Sequence, residues 1–203
     1  MLNKPTHQLG VTLIELVVTL VVLGLLAVAS GPSISTWISN ANVRNTATSI
    51  YAGVNRARAE AVRLNRPVRF SLLSVTDAAV LDNSCALSSA GVSWVVSINN
   101  PTSLCSVDPS ETVDPMIIDK AAGGASGRRV TVAALQADNV TAANTITFNA
   151  FGRVADATPI SRIDVANEVA GGDYRALRIL VGSGGTVRMC DSKVTDSNDP
   201  RKC

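Results

Sequence analysis

Histidine is almost missing from this 203-residue chain, whose single copy is His7. Without a histidine beyond that position, neither a Ser-His-Asp nor a Cys-His triad can be assembled. The four cysteines, Cys85, Cys105, Cys190 and Cys203, include no C-x-x-C pair, so no zinc site or other metal site is expected. The glycine-rich stretches lack the Lys-Ser/Thr of a phosphate-binding loop. Carboxylates are plentiful, but none is marked by its spacing. No catalytic residue, no cofactor and no enzymatic activity are expected. Aromatic residues make up only 3%, and the net charge of +2 gives no global reason to bind a polyanion.

Charge is unevenly spread. Arg44, Arg56, Arg58, Arg63, Arg66 and Arg69 face only Glu60 in their stretch, whereas six acidic residues and no basic one lie between Asp77 and Asp119. The arginines read as a solvated helix face or as a basic surface for neighbouring subunits or a polyanion.

What the chain does have is a run of apolar or small residues from Val11 to Ser30 that carries one carboxylate, Glu15. An acidic residue at the centre of a membrane helix costs roughly 2.5–3.5 kcal/mol on insertion scales, and less near an end. Such a charge calls for a partner. A free amino terminus would serve, and cutting after Gly10 would create one on Val11 of this chain and of its neighbours. Val11 to Ala29 is long enough, at 1.5 Å per residue, to cross a hydrocarbon core of ~30 Å. A cleaved secretory signal competes with this reading, because Ala27-Val28-Ala29 is an A-x-A match. The length of the run and the carboxylate inside it argue against that signal.

Gly10 and Thr12 to Leu16 resemble the processing motif of the type IV prepilin family, a Gly, then usually Phe, then Thr-Leu-Ile-Glu-Leu. The chain departs from it at Val11, where Phe is commonest. The resemblance implies cleavage between Gly10 and Val11 by a prepilin peptidase, N-methylation of Val11, and an assembly contact at Glu15. It also implies that the helix can unwind locally near Gly24 when subunits pack.

Ile34, Ile38, Ala41, Ala47, Tyr51, Val54, Ala57, Ala61 and Leu64 recur at three- and four-residue steps, the pattern of a helix with one buried stripe. Pro67 ends it, because the residue before a proline is pushed toward extended conformations. Short strands rich in Val, Ile, Thr and Leu follow at Val68–Leu72, Val92–Ile98, Arg129–Leu135, Asn144–Phe148, Ile160–Val165, Ala176–Val181 and Thr186–Cys190. Gly123-Gly124-Ala125-Ser126-Gly127 and Gly182-Ser183-Gly184-Gly185 read as connections. The expected organisation is a leader at 1–10, a transmembrane and filament-core helix at 11–31, its amphipathic continuation at 32–66, and a β-rich domain at 67–203. The expected fold class is α+β, a type IV pilin-like fold with the long N-terminal helix packed on two small antiparallel sheets.

The resemblance narrows downstream. Ala57 to Val62 with Arg66-Pro67-Val68, the Trp-bearing Gly91 to Val96, and Thr147 to Val154 with its Phe-x-x-x-Gly-Arg pattern resemble the GspH/FimT group of minor pilins and pseudopilins. Leu180 to Cys190 with Cys203 resembles the closing strand and tail of the FimT branch. This resemblance implies a minor type IV pilin, a structural subunit that helps initiate or cap pilus assembly and contributes to DNA uptake. The alternative is a minor pseudopilin, of the protein H type, in a type II secretion system. The implied location is the bacterial inner membrane, single-pass with the C-terminal domain in the periplasm, before incorporation into a pilus or pseudopilus. The implied partners are prepilin peptidase, other major and minor pilins, the inner-membrane assembly platform and, weakly, double-stranded DNA.

An exported domain favours disulfides. Four cysteines allow three pairings. The local one, Cys85–Cys105 with Cys190–Cys203, closes loops of roughly fifteen to twenty residues, each worth about 3 kcal/mol in the chain-entropy model. For DNA, some FimT-like pilins use a Gly-Arg-x-Arg strand and the tail. Here the matching segment is Gly185-Thr186-Val187-Arg188, so the first arginine is replaced by threonine. Arg188, Lys193, Arg201 and Lys202, with Arg153, form the expected DNA patch, and Asp191, Asp196 and Asp199 oppose it.

Overall fold

The computed structural model describes residues 10–124, 129–169, 171 and 174–203, without side chains for 27–33. The expected leader up to position 9, residues 125–127 of the first glycine-rich connection, and the side chains of Ala27-Val28-Ala29 and Pro32 therefore lie outside the described residues. The chain divides into two compact units, Met1–Ile38 and Ser39–Cys203. One helix, α1 (Leu13–Leu64), supplies residues to both.

In the first unit the apolar side chains from Leu13 to Leu26 are 46–83% exposed on every side of the helix. A helix that is apolar all round needs an apolar surrounding. Among the described residues, no helix is long and apolar enough to cross a membrane. The described apolar stretch, Leu13 to Leu26, covers about 21 Å at 1.5 Å per residue, short of a hydrocarbon core of ~30 Å. Gly24 is helical, and a Cβ there would meet nothing.

In the second unit the buried stripe of α1 is Val43, Ala47, Ile50, Val54, Ala57 and Ala61, all fully buried. The alternating steps of four and three keep these residues on one face. Tyr51 and Leu64 flank it, half-buried. Ile34 and Ile38, expected in the stripe, are exposed and precede the second unit. The helix ends where Asn65 turns to φ 50°, with the Arg66 amide donating to the Ala61 carbonyl. A left-handed residue just past the last turn satisfies carbonyls the helix leaves open, and Pro67 follows it.

Two antiparallel sheets complete the unit. In the first, β1 (Val68–Ser74) pairs along one side with β3 (Ser93–Ser97), which pairs in turn with β4 (Ile117–Ala121). The other side of β1 is shared by β6 (Thr145–Phe148) at its start and the two-residue β2 (Ala86–Leu87) at its end. The second sheet has the order β5 (Val130–Leu135), β7 (Arg162–Asn167), β8 (Ala176–Val181), β9 (Val187–Asp191).

The helix stripe shares one core with Phe70, Leu72, Trp94 and Val96 of the first sheet and with Val132, Ile163, Val165 and Ile179 of the second. Closeness fixes Gly53: a Cβ there would come within 2.8–2.9 Å of the Trp94 and Phe70 rings. The Trp94 indole N–H donates to Ser49 Oγ on the helix at 2.9 Å. The first sheet is buried on its second face as well. Leu73, Val95 and Ile117 meet Cys85 and Cys105 there in a smaller core, capped by the Cys85–Cys105 disulfide. Lys120 Nζ secures the segment after that bridge, donating to the carbonyls of Cys105, Ser106 and Val107 at 2.9, 3.2 and 2.8 Å.

Glu60 is the one acidic side chain buried on the helix, at 5% exposure. Arg56 and Arg63 hold it at 3.2 and 2.5 Å, and Arg63 also reaches Glu111 at 3.0 Å. Both arginines are more than half exposed, so water can take them up once the carboxylate is removed. Glu60→Ala is therefore expected to cost about 1–2 kcal/mol, the loss of charged hydrogen bonds rather than a stranded buried charge. Urea unfolding measures it.

Candidate functional site

Most of the residues singled out by sequence lie at two places, the start of α1 and the C-terminal tail. At the start, Gly10, Val11 and Thr12 are outside the helix and exposed. Thr12 is the N-cap: its Oγ1 accepts the Glu15 amide at 3.3 Å, and its carbonyl accepts the Leu16 amide at 3.1 Å. Thr12-Leu13-Ile14-Glu15 thus has the spacing of a capping box, in which the side chain at the cap satisfies an amide that the first turn leaves unpaired. The carboxylate of Glu15 stands in the first turn, where the helix dipole favours negative charge. Sequence reasoning did not assign Thr12, although the T-x-x-E pattern was there to find. The Gly10–Val11 bond stands exposed just before the cap.

The helix arginines divide their work. Arg56 and Arg63 clamp Glu60, while Arg58 Nε donates to the Gly152 carbonyl at 3.2 Å. Gly185, at φ +84°, lies so close to that carbonyl that a Cβ would come within 1.9 Å of the oxygen. This close approach requires glycine and joins the β8–β9 hairpin to the turn that carries Arg153.

At the tail, the disulfide Cys190–Cys203 ties the last residue to β9. The Asp191 amide donates to the Arg201 carbonyl at 2.7 Å, so the tail pairs along the outer edge of β9. The cations are exposed but engaged by the chain itself. Arg188 Nη2 donates to the Cys203 carbonyl at 3.3 Å, and Lys202 Nζ donates to the Thr195 carbonyl at 3.1 Å. Arg201 chelates Asp199, with Nη2–Oδ2 at 2.6 Å and Nε–Oδ1 at 3.0 Å. The hydrogen bond from the Arg201 side chain, followed by that from its backbone amide, holds the Asp199 carboxyl down at about 2.

The structure therefore gathers Arg188, Arg201 and Lys202 around the tail. Arg153 sits apart on the turn after β6, beside Ser183 of the hairpin at the other end of β9. Lys193 follows β9, its amide donating to Asp191 Oδ1 at 3.0 Å. A cleft of about 430 Å³ opens beside the tail, lined by Arg44, Arg175, Arg201, Asp191 and an apolar floor that includes Leu177 and Met189. Arg44 and Arg201 belong to separate groups singled out by sequence, and no local pattern marks Arg175 or joins the three. Among the described residues no group of His, Cys, Asp and Glu could hold a metal ion.

Two family models match the chain, one over its domain and one over its N-terminal segment. Residues 46–185 match the family described as type II transport protein GspH. Residues 5–31 match the prokaryotic N-terminal methylation motif. No curated protein matches the chain. Two crystal forms of the type IV minor pilin FimU from Pseudomonas aeruginosa are similar at 16% identity. They cover 72% of this chain and 87% and 90% of theirs, with TM-scores of 0.42 and 0.41.

Proposed function

From the premise that the chain belongs to the GspH family, we propose that it is a minor pilin, a structural subunit that helps initiate or cap a type IV pilus. The observation that carries this is the methylation motif over residues 5–31, joined to a GspH domain over 46–185. In this reading a prepilin peptidase cuts between Gly10 and Val11, and Val11 is N-methylated. The apolar first part of α1 anchors the subunit in the inner membrane, with the β-rich domain in the periplasm. From there an assembly platform moves it into contact with other pilins. Its work is structural rather than enzymatic.

The exposure of the Gly10–Val11 bond ahead of the Thr12 cap supports the processing step, because a peptidase needs its substrate bond outside a helix. The intact mass of the mature chain tests it: loss of residues 1–10 and gain of one methyl group are expected. A full-length, unmethylated chain in cells that make pili would end the reading.

The second reading, a minor pseudopilin of a type II secretion system, rests on the description of the same family. Deleting the gene separates the two. Loss of surface pili supports the first, whereas retention of exoproteins in the periplasm with normal pili supports the second.

DNA uptake is a finer role within the first reading. The partners these exposed tail cations already have weigh against strong binding. Of the five residues expected in the patch, Arg201 is neutralised by Asp199, and Arg188 and Lys202 are engaged with carbonyls. A salt-titrated shift assay with double-stranded DNA is expected to give weak binding, with a slope of log K against log salt no steeper than about −2. No shift even at low salt would remove DNA from the list of partners.

A further inference from the structure

We infer that the arginine-rimmed cleft beside the tail is a docking site for the acidic loop, residues 108–114, of a second copy of this chain. The inference deepens the filament reading and rests on it. Arg201 is held by Asp199, but Arg44 and Arg175 have no ion-pair partner among the described residues. Both are exposed, and they stand at the rim of the 430 Å³ cleft above Leu177 and Met189. The cleft thus offers two available cations over an apolar floor.

The same chain carries a matching plug. The loop Asp108-Pro109-Ser110-Glu111-Thr112-Val113-Asp114 contains three acidic residues and no basic one. Arg63 occupies Glu111, and Asn99 donates a hydrogen bond to Asp114. Asp108 and Asp114 are exposed and have no ion-pair partner among the described residues. Between them Val113 is 54% exposed, an apolar side chain flanked by carboxylates. Carboxylate, apolar group and carboxylate fit a floor of Leu177 and Met189 between two arginines. A phosphodiester chain fits less well, because it has no apolar group for the floor.

Position gives the pairing its geometry. Arg44 lies near the start of the part of α1 that belongs to the second unit, and Arg63, which holds the loop through Glu111, lies near its end. At 1.5 Å per residue they are about 28 Å apart along the helix. Socket and plug are thus at opposite ends of the unit. Different patches meeting head to tail form a heterologous contact, which leaves one socket and one plug open at the ends of a pair.

The test uses the full chain in detergent micelles, with its disulfides intact, followed by sedimentation equilibrium. The average mass is expected to rise with protein concentration at low salt and to fall as salt is added. Arg44→Glu with Arg175→Glu, or Asp108→Lys with Asp114→Lys, is expected to weaken association about fivefold or more. Mixing the two reversed proteins is expected to restore it. Should the reversals disturb folding, Arg44→Gln with Arg175→Gln is expected to weaken association in the same direction. A monomer at every concentration, association indifferent to salt and to both reversals, or a mixture no stronger than its components would overturn the inference. Incorporation into filaments is read separately in cells, so failure here leaves the pilin reading standing, and failure there leaves this contact measurable.

Discussion

Glu15→Ala is expected to lower the chain's incorporation into filaments by at least about tenfold, the equivalent of ~1.4 kcal/mol, with the amount of membrane-bound chain unchanged. Glu15 follows Leu13 and Ile14 and precedes Leu16 and Val17, all exposed and apolar. Removing a charge from such a stretch makes insertion easier, not harder. Packing against neighbouring helices reverses the balance. On the proposed reading the carboxylate there leaves the lipid surface and can meet the free amine that the proposed cut after Gly10 would create on Val11. That attraction is strengthened by the low dielectric of the apolar surroundings. Glu15→Gln separates the contributions, because it keeps a side chain suited to the capping box and removes the charge. It is expected to behave like the alanine variant. Immunoblots of sheared filaments and of membranes give the ratio, and full incorporation of either variant would count against the salt-bridge role.

The second large effect concerns stability. Replacing Cys85 and Cys105 together by serine is expected to cost about 3 kcal/mol, the loop-closure value for a bridge of this span. For a chain of this size that lowers Tm by roughly 6–12 °C. The bridge belongs to the small second core with Leu73, Val95 and Ile117, which covers the face of the first sheet turned away from the helix. Lys120 depends on it: the three carbonyls gripped by its ammonium begin at Cys105 and run to Val107. The loss is therefore expected to spread along residues 101–116, seen as faster amide exchange there. The Cys190–Cys203 bridge closes a shorter loop over an exposed tail and is expected to matter less. Thermal unfolding of the two double variants side by side makes the comparison, and equal losses would show that the tail bridge is coupled to the core.

Much of this fold was legible in the sequence, for identifiable reasons. The helix end was written in Asn65-Arg66-Pro67, and most strands in their β-branched alternation. Two strands were not foreseen. β4 carries Asp119 and Lys120 in its second half, which breaks the apolar alternation; pairing with β3 holds it, across an irregularity at Val96 and Ser97. β2 is two residues long and exists only because Leu73 and Ser74 have a free edge beside them.

On the helix, three- and four-residue spacing found the buried face but misjudged its ends. Ile34 and Ile38 continue the period yet lie before the compact unit, and Val43 and Ile50 were missed. Periodicity says which residues share a face, not where a covering surface begins. The candidate site was legible at its N-terminal end, where the motif is contiguous. The cleft was not, because Arg44 and Arg175 meet only after the helix and the second sheet have docked, with the Arg175 amide donating to Asn40 Oδ1 at 2.7 Å.

The cap at Thr12 has a consequence for maturation. Helix α1 begins at Leu13, after the proposed cut, so that cut removes none of its residues. What changes is charge. A new ammonium appears two residues before the first helical residue, beside the positive end of the helix dipole, where a cation is disfavoured by about 0.3–1 kcal/mol. Methylation leaves that charge in place. The precursor thus has a carboxylate well suited to its own helix end, and the mature subunit has an ammonium poorly suited to it. A carboxylate from an adjoining subunit relieves the mismatch, so cleavage turns a self-contained helix terminus into one that is stabilised by company.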